Sequence, residues 1–186
     1  ADQLLNGVRA LHRADVIHGD LKPDNIMVDT RGLVRIVDFG SCHCRGMEQH
    51  NAGIPLGTRD YSAPELLDGA APSEQSDLFS AAVIIHEMLT GSLPWQGRYE
   101  KSAHRPLPPL QRHNAFVPLW INNVLQLALQ HQPKQRFTDA AEFRDALRRP
   151  VRSSKPAIDN DIRQLRIWKG ISIVLVVLLL ISVATR

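Results

Sequence analysis

Apolar and polar residues alternate with the spacing of an α-helix in four parts of the chain. The first of these is amphipathic, with Leu5 and Val8 on its apolar face. The second is apolar on nearly all sides, so we expect it in the middle of a core, and Gly91 follows it as a stop signal. Thr138 or Asp139 is expected to cap the last one. The predicted helices cover residues 2–13, 73–90, 119–130 and 138–147.

Two β-rich runs, residues 25–28 and 33–37, flank a short polar turn that contains Gly32. Two such runs joined by a glycine-containing turn predict a β-hairpin. With four helices and one hairpin, the predicted fold class is α+β and mostly helical. The remaining internal stretches are expected to be loops or irregular segments, at residues 16–24, 38–64 and 97–118.

Composition narrows the class of protein. The chain has 186 residues, of which 44% are hydrophobic and 22% charged, as in globular proteins. The net charge of +3 and the absence of an aromatic-interleaved basic patch argue against a nucleic-acid partner. Cys42 and Cys44 lie too close for an unstrained disulfide. With His43 and His50 nearby, a metal or redox site is conceivable, but the spacing favours a loop with incidental cysteines.

Four polar side chains lie around the predicted hairpin: Asp20, Lys22, Asn25 and Asp38. The hairpin returns Asp38, at the end of its second strand, towards Asn25, at the start of its first. Hard cations such as Mg²⁺ prefer oxygen ligands of this kind and share them with phosphates. Asp20 lies on the preceding loop, where it can reach a hydroxyl, and Lys22 can neutralise charge on a transferring phosphoryl group.

These residues stand in motifs that resemble those of protein kinases. The segment His18–Asn25, reading HGDLKPDN, resembles the catalytic loop, and Asp38–Gly40 resembles the metal-binding Asp-Phe-Gly triplet. Ala63–Glu65 is similar to the Ala-Pro-Glu end of the activation segment. The motifs occur in the right order and at suitable separations. The resemblance covers residues 1–149 and implies the carboxy-terminal lobe of a kinase domain.

The resemblance implies a role for each matching residue in a transfer from ATP to a protein substrate. Asp20 would orient the substrate hydroxyl and accept its proton, while Asn25 and Asp38 would hold Mg²⁺. Lys22 would contact the γ-phosphate, and lysine there is typical of serine/threonine kinases. Thr58 would bridge Asp20 and Lys22 near the incoming hydroxyl.

Three further matches imply structural roles. Glu65 would form a buried ion pair with Arg136. Asp77, in the central helix, would hold the catalytic loop through backbone hydrogen bonds. His18 would pack under the metal-binding triplet rather than act as a base.

The sequence departs from the family in two respects. No glycine-rich loop, strand lysine or partner glutamate precedes the catalytic loop, so we expect an upstream amino-terminal lobe, and further domains, in the intact protein. Gly19 stands where most such kinases carry an arginine that receives a phosphate from the activation loop. A phosphate on that loop would therefore lack its usual partner.

Two other functions compete with this interpretation. Aminoglycoside and choline phosphotransferases often spell the catalytic loop His-Gly-Asp, but they typically lack lysine at the place of Lys22 and lack the Ala63–Glu65 segment. A pseudokinase would keep the fold as a membrane-anchored binding scaffold. All catalytic positions of the lobe are intact here, which favours an enzyme.

The end of the sequence has a different character. Residues 171–184 are almost wholly apolar and uncharged, and with flanking residues they predict a membrane-spanning helix over 167–185. A polar and basic linker, 150–166, precedes it. Arg163, Arg166 and Lys169 flank the apolar run on its amino side, which predicts that side to be cytoplasmic.

These features together predict a single-pass membrane protein whose kinase lobe faces the cytoplasm. Only Thr185 and Arg186 follow the apolar run. The combination of kinase lobe, short linker and apolar tail resembles certain bacterial kinases that carry a phosphatase domain upstream. We therefore expect the bacterial inner membrane as the location.

Overall fold

The computed structural model describes residues 1–44, 59–97 and 107–148, which belong to the compact unit Ala1–Pro150. These residues form α-helices and very short β-strands, in agreement with a kinase-domain fragment that is helical with a few strands. The helices are α1 (Asp2–Arg13), α2 (Pro64–Leu67), α3 (Glu74–Thr90), α4 (Leu119–Ala128) and α5 (Ala140–Arg148). The strands are β1 (Val16–Ile17), β2 (Ile26–Val28), β3 (Val34–Ile36) and β4 (His43–Cys44).

Helix α1 has the predicted bounds and the predicted amphipathic character. It buries Leu4, Leu5 and Val8 completely or nearly so. Its neighbours are α3, α5, β1 and β3. The apolar face of α1 that the helical periodicity predicts is therefore the buried face, and α1 packs against α5, the last helix described.

Helix α3 forms the centre of the core, as its all-round apolar sequence predicts. The hydroxyl of Ser73 accepts from the backbone N–H of Ser76 at 3.1 Å, and the Ser76 hydroxyl accepts from the N–H of Ser73 at 2.9 Å. This reciprocal cap satisfies two backbone donors that the first turn leaves free. At the other end Gly91 has a φ of 70°, a left-handed conformation that glycine adopts without a Cβ penalty.

Helices α4 and α5 confirm the two later predictions, with small shifts at their ends. The carboxylate of Asp139 accepts from the N–H groups of Ala141 and Glu142 at 2.7 and 2.8 Å. Asp139 rather than Thr138 therefore caps α5. Helix α4 ends two residues earlier than predicted, at Ala128.

The predicted hairpin is also confirmed. Strands β2 and β3 pair antiparallel, with Ile26 opposite Ile36. In the turn, the Asp29 carboxylate accepts from the N–H groups of Arg31 and Leu33 at 2.8 and 3.0 Å. This side-chain turn sets the register in which the two strands meet.

The segments predicted as loops contain more regular structure than expected. Strand β1 lies within residues 16–24 and pairs with β4, which lies within 38–64, and α2 begins at the end of that second segment. Single turns of 3₁₀ helix also occur here, at Pro23–Asn25 and Phe39–Ser41. A strand of two residues is too short to show an alternating pattern. Its pairing also depends on a partner far along the chain.

Arg136 is a buried residue whose side chain is fully hydrogen-bonded. Its two Nη atoms each donate to one carboxylate oxygen of Glu65 at 2.7 Å, which confirms the expected ion pair. Its guanidinium also lies 4.8 Å from the centre of the Phe79 ring. The remaining donors reach backbone carbonyls of Gln130, His131 and Gln75 at 2.7–2.9 Å. A buried guanidinium is tolerated because all five of its N–H groups are used.

Within the three described ranges, no helix combines the length and the apolarity that a bilayer crossing requires. Helix α3 is strongly apolar, but it has 17 residues and carries Glu74, Asp77 and Glu87. The predicted span 167–185 and linker 150–166 lie outside the described residues.

We expect the substitution Arg136→Lys to lower the free energy of unfolding by roughly 3 kcal/mol. Lysine keeps the charge but cannot bind Glu65 with two parallel donors or reach the three carbonyls at once. Urea titration of the purified chain, followed by circular dichroism, measures the change.

The matched control is Arg148→Lys. Arg148 also forms an ion pair with a carboxylate, that of Asp2, but both side chains are about half exposed. Exposed pairs contribute little, so this variant should unfold close to the parent. Equal destabilisation of the two variants would contradict the assignment of Arg136 as a core residue.

Candidate active site

The carboxylate of Asp77 holds the loop that carries the candidate site. Asp77 is only 1% exposed, at the first turn of the central helix α3. Its Oδ2 accepts from the N–H of His18 and its Oδ1 from the N–H of Gly19, each at 2.9 Å. The expected role of Asp77 is therefore confirmed. The loop is fixed through its backbone, whatever side chains it carries.

His12 is a third partner of this carboxylate, and the sequence motifs did not single it out. Its Nε2 lies 2.9 Å from Asp77 Oδ2, and its side chain is only 6% exposed. A signal was present, because His12 continues the apolar stripe of Leu5 and Val8 at helical spacing along α1. A histidine on a buried face needs a polar partner, and a buried aspartate supplies it.

His18 links the loop to the Asp-Phe-Gly segment. Its ring lies 5.6 Å from that of Phe39, centre to centre. Its Nδ1 accepts from the N–H of Asp20 at 3.3 Å, so Nε2 carries the proton and donates to the carbonyl of Val37 at 3.2 Å. One neutral tautomer satisfies both contacts. His18 is thus a packing residue, as expected, and both of its ring nitrogens are engaged.

Asp20, Lys22 and Asn25 are brought together as the sequence predicts. Lys22 Nζ donates to Asp20 Oδ2 at 2.8 Å. Asn25 Nδ2 donates to the Asp20 carbonyl at 2.8 Å and to Asp20 Oδ2 at 3.4 Å. The hydrogen bond and charge of Asp20 raise the pKa of Lys22, with smaller contributions from Asp24 and Asp38. Lys22 is therefore firmly cationic beside the carboxylate.

The two carboxylate oxygens of Asp20 have different surroundings. Oδ2 receives the hydrogen bonds from Lys22 and Asn25. Oδ1 is buried and has no hydrogen-bond partner among the described residues. A buried acceptor normally finds a donor, so an unpartnered one marks a place for a ligand group or a proton. This oxygen is therefore a candidate acceptor for a ligand group.

Asp38 is delivered by the second strand of the hairpin. The N–H of Val37 donates to the Asn25 carbonyl at 2.9 Å, so Asp38 is the first residue past the paired strands. Asp38 has a φ of 64°, and its Oδ1 accepts from the N–H of Gly40 at 3.3 Å. Its side chain is exposed beside the loop. Left-handed backbone in a residue other than glycine is uncommon and concentrates at functional sites.

The oxygens of Asn25 and Asp38 suit a hard divalent cation. Both hydrogen bonds of the Asn25 side chain to Asp20 use the amide nitrogen, which leaves its oxygen as a potential ligand. Carboxylate and amide oxygens are the donors that Mg²⁺ prefers. Thr58, the remaining predicted site residue, lies outside the described residues.

The family model of the protein kinase domain matches residues 1–151, well over half of the chain. The chain belongs to the protein kinase domain family. The kinase domain also explains why Asp77, His18, Glu65 and Arg136 occupy the structural positions that the resemblance implied.

Curated bacterial relatives support the same assignment. They include the serine/threonine-protein kinase Pkn1 of Myxococcus xanthus, 35% identical over 78% of this chain. PknB of Mycobacterium leprae is 32% identical over 78% of this chain, and PknD of Chlamydia abortus is 28% identical over 90%. The chain spans only 22%, 24% and 21% of the lengths of Pkn1, PknB and PknD.

The cysteines of the kinase domain lie beside the site without a visible chemical role. Both thiols are free, and His43 and Cys44 form β4, which pairs with β1. Burial raises the pKa of the Cys42 thiol to about 11, so this thiol stays protonated at neutral pH. His50, the other member of the suspected cluster, lies outside the described residues.

Tyr61 is a second residue that the sequence motifs did not single out. It lies just before the Ala-Pro-Glu triplet, and its hydroxyl donates to Glu87 Oε2 at 2.7 Å. Burial and this hydrogen bond raise the pKa of Tyr61. The contact ties the end of the activation segment to the central helix, α3.

Gly19 has a conformation that the sequence alone does not predict. Its φ is 76°, and a Cβ at this position would lie 2.9 Å from the carbonyl oxygen of Ser41. The loop therefore runs close to the backbone that follows the Asp-Phe-Gly triplet. A larger residue here must displace Ser41 as well as adopt a left-handed backbone.

We expect Gly19→Ala to destabilise the kinase domain more than Gly69→Ala. Gly69 also has a positive φ, 87°, but no atom lies within 4 Å of the place that a Cβ would take there. Both variants carry the backbone cost of about 1–2 kcal/mol, and Gly19→Ala adds a steric clash of about 1–3 kcal/mol. Urea unfolding of the two variants side by side measures the difference. Equal losses would show that the close approach to Ser41 relaxes freely.

Proposed function

We propose that this chain provides the catalytic loop of a serine/threonine protein kinase, which transfers the γ-phosphoryl group of ATP to hydroxyls of proteins. The names of the bacterial relatives support the reaction and the acceptor class. The observation that carries the proposal is the carboxylate of Asp20, with one oxygen held by Lys22 and Asn25 and the other buried and without a partner among the described residues.

Asp20 is proposed to orient the acceptor hydroxyl and take its proton. Lys22 and Asn25 hold Oδ2, which restricts rotation of the carboxylate and would leave Oδ1 for the acceptor. A base held in a defined orientation lowers the barrier chiefly by positioning. Thr58 is proposed to complete the contact between Asp20 and Lys22 around the hydroxyl.

Lys22 is proposed to contact the γ-phosphate. Before the substrate binds, its ammonium is paired with Asp20. During transfer the same ammonium could stabilise the negative charge that develops on the phosphoryl group. The ammonium lies 2.8 Å from Asp20 Oδ2, so the base and the cation could act on the same acceptor hydroxyl and phosphoryl group.

Asn25 and Asp38 are proposed to hold Mg²⁺ bound to the phosphates of ATP, which is a substrate. The metal would neutralise phosphate charge and orient the γ-phosphoryl group. The chain's own contribution is the hairpin, which keeps the two oxygen-bearing residues at adjacent strand ends.

We further propose that residues 167–185 anchor the protein in a membrane with the kinase lobe in the cytoplasm. The support is the uncharged and almost wholly apolar run 171–184 and the basic residues on its amino side. Substrates at the same membrane surface would meet the kinase at a raised effective concentration.

We expect Asp20→Asn in the full-length protein to lower the rate of phosphotransfer about 100-fold or more, because the asparagine amide cannot accept the hydroxyl proton. Transfer of radiolabelled phosphate from ATP to a general protein acceptor measures the rate. The control is Asp24→Asn, an exposed carboxylate on the same loop that takes no part in the hydrogen bonds of Asp20 with Lys22 and Asn25. Transfer that persists in Asp20→Asn, or that never appears in the parent, would favour a scaffold.

For the anchor, we expect the full-length protein to remain in the membrane pellet after alkaline carbonate extraction. The double substitution Val176→Arg and Val177→Arg should release it, since each charge at the centre of a span costs about 2.5–3.5 kcal/mol. Val176→Leu with Val177→Leu is the matched control and should stay bound. Release of the parent protein by carbonate would refute the anchor.

A further inference from the structure

An exposed apolar surface lies on the turn before helix α4 and on the first residue of that helix. It is far in sequence from the proposed catalytic residues. Phe116 is 95% exposed and Leu119 is 71% exposed, unusually high values for large apolar side chains in a folded domain. Their neighbours on the same turn are also exposed. We define the Phe116 surface as Arg112, His113, Ala115, Phe116, Pro118 and Leu119.

The turn that carries Phe116 is firmly held by its own hydrogen bonds. Asn114 accepts from the N–H of Phe116 at 3.1 Å through its side chain and donates to the carbonyl of Leu89 at 2.9 Å. Val117, the next residue, is 6% exposed, and its carbonyl accepts from Gln111 at 2.8 Å. One side of the turn is thus pinned to the core while Phe116 is presented outwards.

The stretch of sequence that contains the surface carries basic residues and no acidic ones. No aspartate or glutamate occurs in the sequence from Lys101 to Thr138, while Arg112 and His113 are exposed next to Phe116. A phenylalanine and a leucine flanked by basic residues match the chemistry of an anionic bilayer surface, which takes apolar side chains below its headgroups and cations among them.

Phe116 and Leu119 are the two large apolar side chains of the defined surface. A large aromatic side chain buries about 150–250 Å², so this pair covers only part of the roughly 800 Å² that a stable protein interface removes from each partner. A weak surface contact becomes effective only when something else holds the lobe close to its target. Residues 149–166 reach at most about 65 Å when fully extended, and a lobe of this size is about 40 Å across. Every face of the lobe can therefore reach a membrane in which residues 167–185 are inserted.

We infer that the Phe116 surface docks on the anionic lipid surface of the membrane in which the protein is anchored. The inference rests on the proposed anchor, which would keep the lobe near the membrane. The side chains that would contact the lipids belong to the described turn. Phe116 and Leu119 insert among the lipids, and Arg112 lies at the headgroups. Docking there gives the kinase lobe one preferred orientation above the bilayer.

Hydrogen–deuterium exchange of the full chain tests the inference. The chain is reconstituted into vesicles of phosphatidylcholine alone and into vesicles that also contain phosphatidylserine. We expect the backbone amides of residues 112–120 to exchange about threefold or more slowly in the anionic vesicles. The substitutions Phe116→Ser and Leu119→Ser together should remove that protection, and high salt should weaken it.

The control is Leu33→Ser, which removes an apolar residue that is 47% exposed on the hairpin turn and should leave the protection of 112–120 intact. Equal exchange in the two kinds of vesicle overturns the inference, as does protection that survives the double substitution. Protection that rises with protein density in vesicles lacking phosphatidylserine also overturns it and indicates contact with a second copy.

Carbonate extraction of the same samples separates this inference from the anchor. A chain that resists extraction but shows no lipid-dependent protection overturns the docking surface alone. Release of the chain by carbonate overturns the anchor, and with it the docking of an anchored lobe.

Discussion

The hydrogen bonds of one buried carboxylate, that of Asp77, are the constraint on which the site depends. A carboxylate removed from water must find donors, and Asp77 finds them in two backbone N–H groups of the catalytic loop and in His12. The hydrogen bonds that satisfy the buried charge of Asp77 are therefore also the ones that position the catalytic loop. Because α3 is the central helix of the core, the position of the loop is tied to the packing of the whole lobe.

Most helices could be predicted because their signals are local. The amphipathic face of α1, the serine cap and glycine stop of α3, and the aspartate cap of α5 are each contained within a few residues. The β1–β4 pair could not be predicted, because neither two-residue strand has a period and each is a strand only through the other. Helix α2 is a single turn and leaves an equally short signal.

The candidate site divides in the same way. Motif spacing predicted that Asp20, Lys22 and Asn25 would meet, and the contacts of these residues agree. The sequence did not indicate that the two oxygens of Asp20 have different surroundings, since burial of one oxygen depends on the assembled fold. The left-handed backbone of Gly19 and its approach to Ser41 likewise depend on a strand pairing that no local pattern encodes.

The ion pair between Asp2 and Arg148 has a mechanical consequence. It joins the first turn of α1 to the last turn of α5, and Arg144 adds a hydrogen bond to Asn6 along the same seam. Tension applied to the chain on either side of the lobe would load this seam first, in the direction that peels α5 from α1. Exposed pairs are weak, so the seam would part first. Helix α1 also carries His12, the partner of Asp77, so a stronger pull would then reach the helix that contacts the anchor of the catalytic loop.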